Sequence, residues 1–331
     1  MKNVKIFKIN DNNLKIAKDY ILNDRLVAFP TETVYGLGAN AFSDEAIRAV
    51  YAAKGRPLDN PLIVHVDDKY DIEELVFVDY DYARKLRESF LPGPLTMVYR
   101  SRDKVSPLVS CGLTTLAIRV PSHKGALEFL KATGVPIAAP SANRSKHVSP
   151  VTAEHVYADF GDDIAMILDG GRCEGGIEST VLDVTTETPI ILRKGLITAE
   201  MVKRIVGRCE YAGSVSELNA RSPGTKYRHY CPKTETVLLE EGDVGGALDI
   251  YEKYYSVGKT ACIMATSEYS DAFSGKNFFD LGKTGGQMAA RLYFYLRQAE
   301  KYDILIGIRF CACDEVALGV ENRFLKAFGN G

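Results

Sequence analysis

Short apolar runs alternate with amphipathic segments along the first two hundred residues. The segment "SDEAIRAVYAAKG" predicts a helix that Ser43 caps and that Gly55 ends. The segments "NLKIAKDYILN", "TAEHVYADFG" and "ITAEMVKRIVG" also predict helices. Strands are predicted, from β-rich runs bounded by Pro, Gly or polar residues, in "LVAFP", "PLIVHV", "LTMVYR", "TTLAIRV", "VPIAAP", "STVLDV" and "PIILRKG". Because the strands return without a strict strand–helix–strand alternation, we expect a twisted mixed sheet with helices packed on it.

The pattern changes over residues 208–234, where aliphatic residues are few. Prolines, a glycine and a cationic cluster stand there instead: Pro223, Gly224, Pro232, Lys226, Arg228 and His229. This composition predicts a linker between two domains, with a solvated tether as its simplest interpretation.

A second α/β pattern begins at residue 235. "TETVLLE", "TACIMAT" and "YDILIGI" predict strands, "DVGGALDIYEKYY" predicts a helix, and further helices are expected from about Gly286 and from Asp314. We therefore expect an α/β chain with a mixed-sheet domain over residues 1–207, an ordered linker over 208–234 and a smaller Rossmann-like domain over 235–331.

The amino-acid composition disfavours several classes of protein function. The 331 residues carry a net charge of −2, and residues 1–200 alone carry 24 Lys and Arg against 27 Asp and Glu, which disfavours a broad nucleic-acid surface. Seven scattered cysteines without a C-x-x-C pair argue against structural zinc and favour free thiols in a reducing cytosol. The amino-terminal "MKNVKIFKIN" predicts a strand, not a signal peptide, and no apolar run is long enough to span a membrane. We expect a cytoplasmic protein.

Common nucleotide-binding signatures are absent. The segment "LGKTGG" contains Gly-Lys-Thr, but the P-loop glycine required five residues before Gly282 is Asn277. No nucleophile elbow, H-E-x-x-H or kinase signature occurs either. Any nucleotide must be bound in another way.

Two cations mark the end of a predicted helix in "AAKGRPLDNPLIVHV". Lys54 and Arg56 flank Gly55 there. Because the chain is close to neutral overall, these side chains predict a local anion site that the fold assembles.

Polar and cationic residues recur where predicted strands end. They lie in "FPTETVYGLGANA", "TTLAIRVPSH", "APSANRSKHVSP", "GGIESTVLDV" and "IILRKG", and include Thr31, Thr33, Thr115, Arg119, Ser141, Asn143, Ser149, Ser179 and Arg193. In the first of these segments, Gly36 and Gly38 are expected to form a flexible pair after the polar residues. Ligands of open α/β sheets bind beyond strand ends, so these residues predict a cleft for a zwitterionic or ribose-bearing ligand. Each motif alone is equally consistent with a turn or a surface ion pair. His65 either orients a substrate or is a core histidine bonded to the backbone.

The motifs together resemble a known family. "PTETVYGLGANA", "KGRPLDNPLIVHV", "PGPLTMV", "LAIRVPSH", "APSANRS", "GGIESTV" and "ILRKG" resemble, in this order, the signature of the threonylcarbamoyl-AMP synthase family. The resemblance covers about residues 10–200 as a YrdC-like catalytic domain. "SPGTKYRHYCP" resembles the linker of the longer, two-domain members.

The resemblance implies a nucleotidyltransferase that converts L-threonine, bicarbonate or CO2, and ATP into threonylcarbamoyl-AMP and pyrophosphate. This reaction is the first step towards N6-threonylcarbamoyladenosine in tRNA, and a downstream transferase complex takes the product. At most weak contact with tRNA, and none with a membrane, is expected.

The resemblance also implies the site residues. The catalytic cations would be Lys54 and Arg56. ATP would be bound by Lys54, Arg56, Asn60, Thr115, Ser141, Asn143, Ser149, Arg193, Tyr227, His229 and Tyr230. Threonine would be bound by Thr33, His65, Arg119, Ala139 and Ser179. Mg²⁺ would be carried by the ATP phosphates and not by a protein cage. Tyr227, Arg228, His229 and Tyr230 would make the linker a lid over the nucleotide.

Two other functions share parts of this pattern. A carbamoyltransferase of hydrogenase maturation would contain the same domain type, but those proteins are much longer and carry C-x-x-C repeats that are absent here. An RNA-binding translation regulator would use the cationic cleft for a phosphate backbone, although the first half is acidic.

Overall fold

The structure, a computed structural model, describes residues 5–213 and 230–329. It divides into two compact units. The first unit comprises residues 1–145 and 149–227, and the second comprises residues 146–148 and 228–331. Most of the predicted linker, residues 214–229, lies outside the described residues.

The first unit is a mixed α/β sheet domain. Its strands are β1 (Ile6–Lys8), β2 (Val27–Phe29), β3 (Gly36–Asn40), β4 (Ile63–His65), β5 (Val76–Phe77), β6 (Leu95–Ser101), β7 (Thr115–Arg119), β8 (Ile137–Ala138), β9 (Met166–Asp169), β10 (Thr180–Asp183), β11 (Ile190–Arg193) and β12 (Glu210–Tyr211). Its α-helices are α1 (Asp11–Leu22), α2 (Asp44–Lys54), α3 (Asp81–Phe90), α4 (Pro107–Ser110), α5 (Lys124–Thr133), α6 (Ala153–Phe160) and α7 (Ala199–Val206).

The strands form one twelve-stranded sheet in the order β1-β9-β2-β3-β8-β4-β7-β6-β10-β11-β12, with β5 paired to β6. Parallel pairs such as β4–β7 and β6–β10 alternate with antiparallel pairs such as β6–β7 and β10–β11. The predicted twisted mixed sheet is confirmed. Helices α1 and α5 cover one part of it, where Phe129 packs on Phe29 with ring centroids 5.1 Å apart.

Helix α2 forms for the local reasons that the sequence predicts. The Ser43 hydroxyl accepts a hydrogen bond from the Ala46 amide, and Gly55 ends the helix in the left-handed region at φ 60°. Ile47 and Val50 lie on its buried face. The helix therefore ends with Lys54 directed into the domain, where that residue is 3% exposed.

Strand β3 corrects one expectation from the sequence. Gly36 and Gly38 were expected to form a flexible pair in a loop, but both lie in β3 between β2 and β8. A Cβ at Gly36 would lie 3.1 Å from the Phe29 ring, and one at Gly38 would lie 2.9 Å from Ile137. Glycine permits this close approach, so the two residues serve packing and not flexibility.

The second unit contains a smaller parallel sheet. Its strands are β13 (Glu235–Leu239), β14 (Ala261–Ala265), β15 (Phe278–Asp280) and β16 (Ile304–Ile308), in the order β13-β16-β14-β15 and all parallel. Its α-helices are α8 (Val244–Ser256), α9 (Gly285–Ala299) and α10 (Glu315–Ala327). The expected second, smaller α/β domain is confirmed.

The segment "LGKTGG" serves as a helix start in this unit. The Thr284 hydroxyl accepts a hydrogen bond from the Gln287 amide and caps α9, and the Gly285 amide donates to the Asp314 carboxylate at 3.0 Å. Across residues 5–213 and 230–329, no helix combines the length and apolar character needed to cross a membrane.

Candidate functional site

One face of the first unit's sheet carries several of the predicted site residues. Thr115, Ala117 and Arg119 alternate along β7, so their side chains share a face. The parallel pairing of β4 with β7 places His65 opposite Arg119. This register brings a buried imidazole and a buried guanidinium side by side.

Arg119 is 4% exposed and forms an ion pair with Glu32. Its Nη2 donates to Oε1 of Glu32 at 2.7 Å, while Oε2 of Glu32 accepts from the Ser122 amide at 3.2 Å. The Nε of Arg119 is buried and has no hydrogen-bond partner in the described part of the chain. A buried cation with an unused donor is suited to bind an anionic ligand.

The turn that carries Glu32 is organised by Thr31. The Thr31 hydroxyl donates to the Val34 carbonyl at 2.6 Å and lies 2.9 Å from the Thr33 hydroxyl. Thr33 is fully buried. The Thr33 hydroxyl, which the sequence predicts to bind threonine, is therefore held in place by the Thr31 hydroxyl of the same turn.

His65 is a buried, neutral histidine. Its Nδ1 lies 3.2 Å from the Ile63 carbonyl, and the Phe29 ring meets it edge-on at 5.7 Å. Burial, with the charge of Arg119 as the second cause, lowers the pKa of His65 to about 3. The backbone bond is the one expected of a core histidine, and the proposed role in threonine binding stays a prediction.

This shift predicts a pH-dependent stability. An unfolded histidine titrates near pH 6.5, so between pH 6.5 and about 3 the unfolded chain binds a proton that folded His65 does not. The stability from neutral His65 is complete above about pH 6.5 and is lost as the pH falls. Between pH 7.5 and 5, we expect wild type to lose on the order of 1–2 kcal/mol more unfolding free energy than His65→Gln. Urea unfolding at both pH values measures this, and equal losses in the two proteins would contradict it.

A second cluster joins β6, β10 and β11. The Ser179 and Thr96 hydroxyls lie 2.8 Å apart, and Arg193 donates through Nε and Nη2 to the Ser179 carbonyl at 3.1 and 3.0 Å. Gly195 passes close by, since a Cβ there would lie 2.4 Å from the Thr180 amide nitrogen. The two predicted residues Ser179 and Arg193 are thus in direct contact.

The cation pair flanking Gly55 contacts two loops. The Lys54 ammonium donates to the carbonyls of Ser141 and Asn143, both at 2.5 Å. Half-buried Arg56 donates to the carbonyls of Asn60 and Pro61 at 3.2 Å through Nη2. Lys54 therefore connects the end of α2 to the segment after β8. Arg56 connects the residue after Gly55 to the segment that leads into β4.

Arg56 stays charged at neutral pH. Burial lowers its pKa to about 10, and the nearby positive charge of Arg193 contributes to the lowering. The two guanidinium groups are thus close enough to repel one another. An anion that contacts both would relieve the repulsion, which is the electrostatic character expected of a phosphate site.

The remaining predicted residues of the first unit lie on the same segments. The Ser149 hydroxyl donates to the carboxylate of buried Glu178 at 2.7 Å. The Ala139 amide donates to the Ile63 carbonyl at 2.9 Å, and Thr115 is half-buried at the start of β7. Asn60 is buried, and its carbonyl accepts from Arg56.

The predicted linker residues have different outcomes. Tyr230 belongs to the second unit, where its buried ring stacks on Tyr293 with centroids 5.2 Å apart. Tyr227, Arg228 and His229 lie outside the described residues, as do the other linker residues from 214 onwards. The role of Tyr227, His229 and Tyr230 in ATP binding stays a prediction, as does the lid.

Sequence reasoning missed three partners of the predicted residues. Glu32 pairs with Arg119, Thr96 with Ser179 and Glu178 with Ser149. Glu32 and Glu178 lie inside motifs that were singled out for other residues, and their place there was the available signal. Thr96 also lies inside a motif, "PGPLTMV", from which no site residue was chosen.

Comparison with known proteins places these residues in a wider context. A family model described as "Telomere recombination" (Sua5, yciO, yrdC) matches residues 19–195, and one described as "Threonylcarbamoyl-AMP synthase, C-terminal domain" matches residues 197–329. The chain is similar to the threonylcarbamoyl-AMP synthases of Bacillus subtilis, at 39% identity over 97% of this chain and 94% of that protein, and of Pyrococcus abyssi, at 37% identity over 97% and 96%.

A solved structure shows the same likeness in three dimensions. The crystal structure of P. abyssi Sua5 complexed with L-threonine matches with a TM-score of 0.87 and 35% identity, over 99% of this chain and 98% of that one. The similarity therefore extends through both units of the chain.

Proposed function

The chain belongs to the threonylcarbamoyl-AMP synthase family, and from this premise we propose how its residues carry out the reaction. L-threonine, bicarbonate or CO2, and ATP are converted into threonylcarbamoyl-AMP and pyrophosphate. The observation that best supports a threonine subsite is buried Arg119, whose Nε is without a partner among the described residues. That donor is suited to the carboxylate of an amino acid.

The threonine subsite is proposed around Arg119. Neutral His65 lies beside it in the register of β4 and β7, and Thr33 and Ser179 contribute buried hydroxyls. Ala139 is a small residue whose amide bonds to Ile63, two residues before His65. A zwitterionic amino acid requires this combination of a fixed cation and neutral hydrogen-bonding groups.

The ATP subsite is proposed around the other cations. Lys54, Arg56 and Arg193 would face the phosphates, and the charge of Arg193 acts on Arg56 in the direction expected of two cations in one subsite. Hydroxyl and amide groups would complete the subsite, namely those of Asn60, Thr115, Ser141, Asn143 and Ser149. The cations neutralise charge that grows on the phosphates during the reaction.

The chemistry needs no side-chain nucleophile. The neutral amine of threonine attacks CO2, an N–C bond forms while one C=O bond of CO2 opens, and the nitrogen loses one proton to solvent to give the carbamate anion. A carbamate oxygen then attacks the α-phosphorus of ATP, the bond from that phosphorus to the bridging oxygen breaks, and pyrophosphate leaves with the electron pair. The attack on the α-phosphate makes the enzyme a nucleotidyltransferase. The protein holds two anions in line and compensates their charge.

Mg²⁺ is proposed to enter with ATP. Bound to phosphate oxygens, the ion would add further charge neutralisation. The ammonium, guanidinium and hydroxyl groups proposed for this subsite would bind phosphate oxygens directly. In this proposal the chain's own residues would bind the phosphates, and the phosphates would carry the ion.

The product is proposed to supply the threonylcarbamoyl group for N6-threonylcarbamoyladenosine in tRNA. A mixed anhydride of this kind is an activated acyl donor, so a transferase acting on an adenosine must consume it. Contact of this chain with tRNA is proposed to be weak, because residues 1–200 carry a net charge of −3, from 24 basic and 27 acidic residues.

The proposal predicts threonine-dependent pyrophosphate release. Purified protein with ATP, Mg²⁺ and bicarbonate is expected to release pyrophosphate in the presence of L-threonine and to release little without it. An enzyme-coupled pyrophosphate assay measures the difference, with bicarbonate-depleted buffer as the second control. Equal release with and without L-threonine by folded, ATP-binding protein would contradict the proposed function.

A further inference from the structure

The Glu32 carboxylate sits next to the guanidinium assigned to the substrate carboxylate. We propose that Glu32 is a positioning residue that sets which edge of Arg119 faces the amino-acid substrate. The inference rests on the proposed function, since it presupposes an amino acid bound at Arg119. It assigns a role to a residue that contacts Arg119 and not the reacting atoms.

The contact between the two side chains is one-pronged. Nη2 of Arg119 donates to Oε1 of Glu32, and the second oxygen of Glu32 is occupied by the Ser122 amide. A carboxylate that only neutralised a guanidinium would gain most by a two-pronged contact. The observed geometry instead leaves the Nε edge of Arg119 unused and buried.

Glu32 is itself held in place from both sides. Its carbonyl accepts from the Gly175 amide at 2.7 Å, and a Cβ at residue 175 would lie 2.9 Å from that carbonyl oxygen. The hydroxyls of Thr31 and Thr33 fix the turn around it. The side chain is 15% exposed. A carboxylate held in this way fixes the orientation of the Arg119 guanidinium and does not change its own position to suit that group.

The buried guanidinium thus has two distinct edges. One N–H is used by a fixed internal carboxylate, and the Nε edge remains for a second, incoming carboxylate. With Glu32 in place, Arg119 presents its fork in one orientation before the substrate arrives. Without it, the guanidinium must be oriented when the substrate binds, and affinity for the carboxylate falls.

The test compares two ligands that differ only at the carboxylate. Binding of L-threonine and of L-threoninol, its alcohol, is measured by calorimetry on the full chain, for wild type and Glu32→Gln. We expect Glu32→Gln to lower the preference for L-threonine over L-threoninol by roughly 10–100-fold, by analogy with the loss of a group that orients a metal ligand. The KM for ATP in pyrophosphate release should change by less than about twofold, because that subsite is built by other residues.

A matched control is available on the surface of the same unit. Glu73 pairs with Arg84 at 3.1 Å, both half-exposed, so Glu73→Gln removes the same charge from a Glu–Arg pair near the surface. It should leave the ligand preference and both KM values unchanged. If Glu32→Gln does not fold, Glu32→Asp, which keeps the charge but shortens the reach, should show a smaller loss of the same preference.

The outcomes separate this inference from the proposed function. An unchanged preference in Glu32→Gln, equal weakening of both ligands, or tighter threonine binding from relieved competition would each overturn the role of Glu32. If wild type releases pyrophosphate with threonine while the preference is unchanged, only the inference fails. If wild type neither binds L-threonine nor releases pyrophosphate, both fail.

Discussion

Arg56→Ala is expected to lower threonine-dependent pyrophosphate release by about 100- to 1,000-fold, the usual effect of removing one donor from a site of developing charge. Arg56 remains charged at neutral pH and lies within electrostatic range of Arg193. Its removal therefore takes away charge where the proposed function places the phosphates. The measurement is the initial rate of pyrophosphate release at saturating ATP and L-threonine.

Two variants make this result interpretable. Arg56→Lys keeps the charge but loses the planar fork, so its rate should lie between those of wild type and Arg56→Ala. Arg84→Ala removes a half-exposed arginine on helix α3 and should leave the rate unchanged. A wild-type rate in folded Arg56→Ala would refute the phosphate role of Arg56.

Arg56 is a cleaner target than Lys54. Both are proposed to face the phosphates, but the Lys54 ammonium is buried and donates to the carbonyls of Ser141 and Asn143. Replacing Lys54 would leave buried acceptors without a donor and so lower stability as well. A loss of activity there would not separate catalysis from folding.

Arg119→Ala is expected to raise the KM for L-threonine by about 30-fold or more, which corresponds to the loss of about 2 kcal/mol or more that follows when one partner of a buried charge pair is removed. The proposed function assigns this guanidinium to the substrate carboxylate, and no other cation of the described part of the chain contacts Glu32. The KM for ATP should change much less. Steady-state kinetics with each substrate varied in turn measures the contrast.

The same replacement should also lower stability, because Glu32 would be left half-buried without its counter-charge. The double variant Arg119→Met with Glu32→Gln removes both charges and should recover part of that stability. The KM for L-threonine should stay high in the double variant, since the clamp is still missing. Equal effects on the KM values for threonine and ATP in Arg119→Ala would rule out the proposed clamp.

Local signals explain which parts of the fold were predictable. Helix α2 has a capping residue, Ser43, directly before it and a terminating residue, Gly55, directly after it, and it forms as predicted. Strand β3 does not, because Gly36 and Gly38 are typical of loops and become a strand only through packing on Phe29. That packing partner follows from the tertiary fold and not from local propensity.

The residues of the candidate site were also predictable only in part. Cations and hydroxyls at strand ends were visible in the motifs, because they interrupt apolar runs at recognisable places. Their partners were not, since Glu32 lies 87 residues from Arg119 and Thr96 lies 83 residues from Ser179. Only sheet order and register bring such pairs together, and neither follows from local spacing.

The most direct test of the proposed reaction is the identity of its product. Incubation with ATP, Mg²⁺, L-threonine and ¹³C-bicarbonate, followed by mass spectrometry of the nucleotides, should show threonylcarbamoyl-AMP that carries one ¹³C and forms only when all components are present. Formation of AMP or threonyl-AMP without the label, with no threonylcarbamoyl-AMP, would contradict the proposal that a carbamate attacks the α-phosphate.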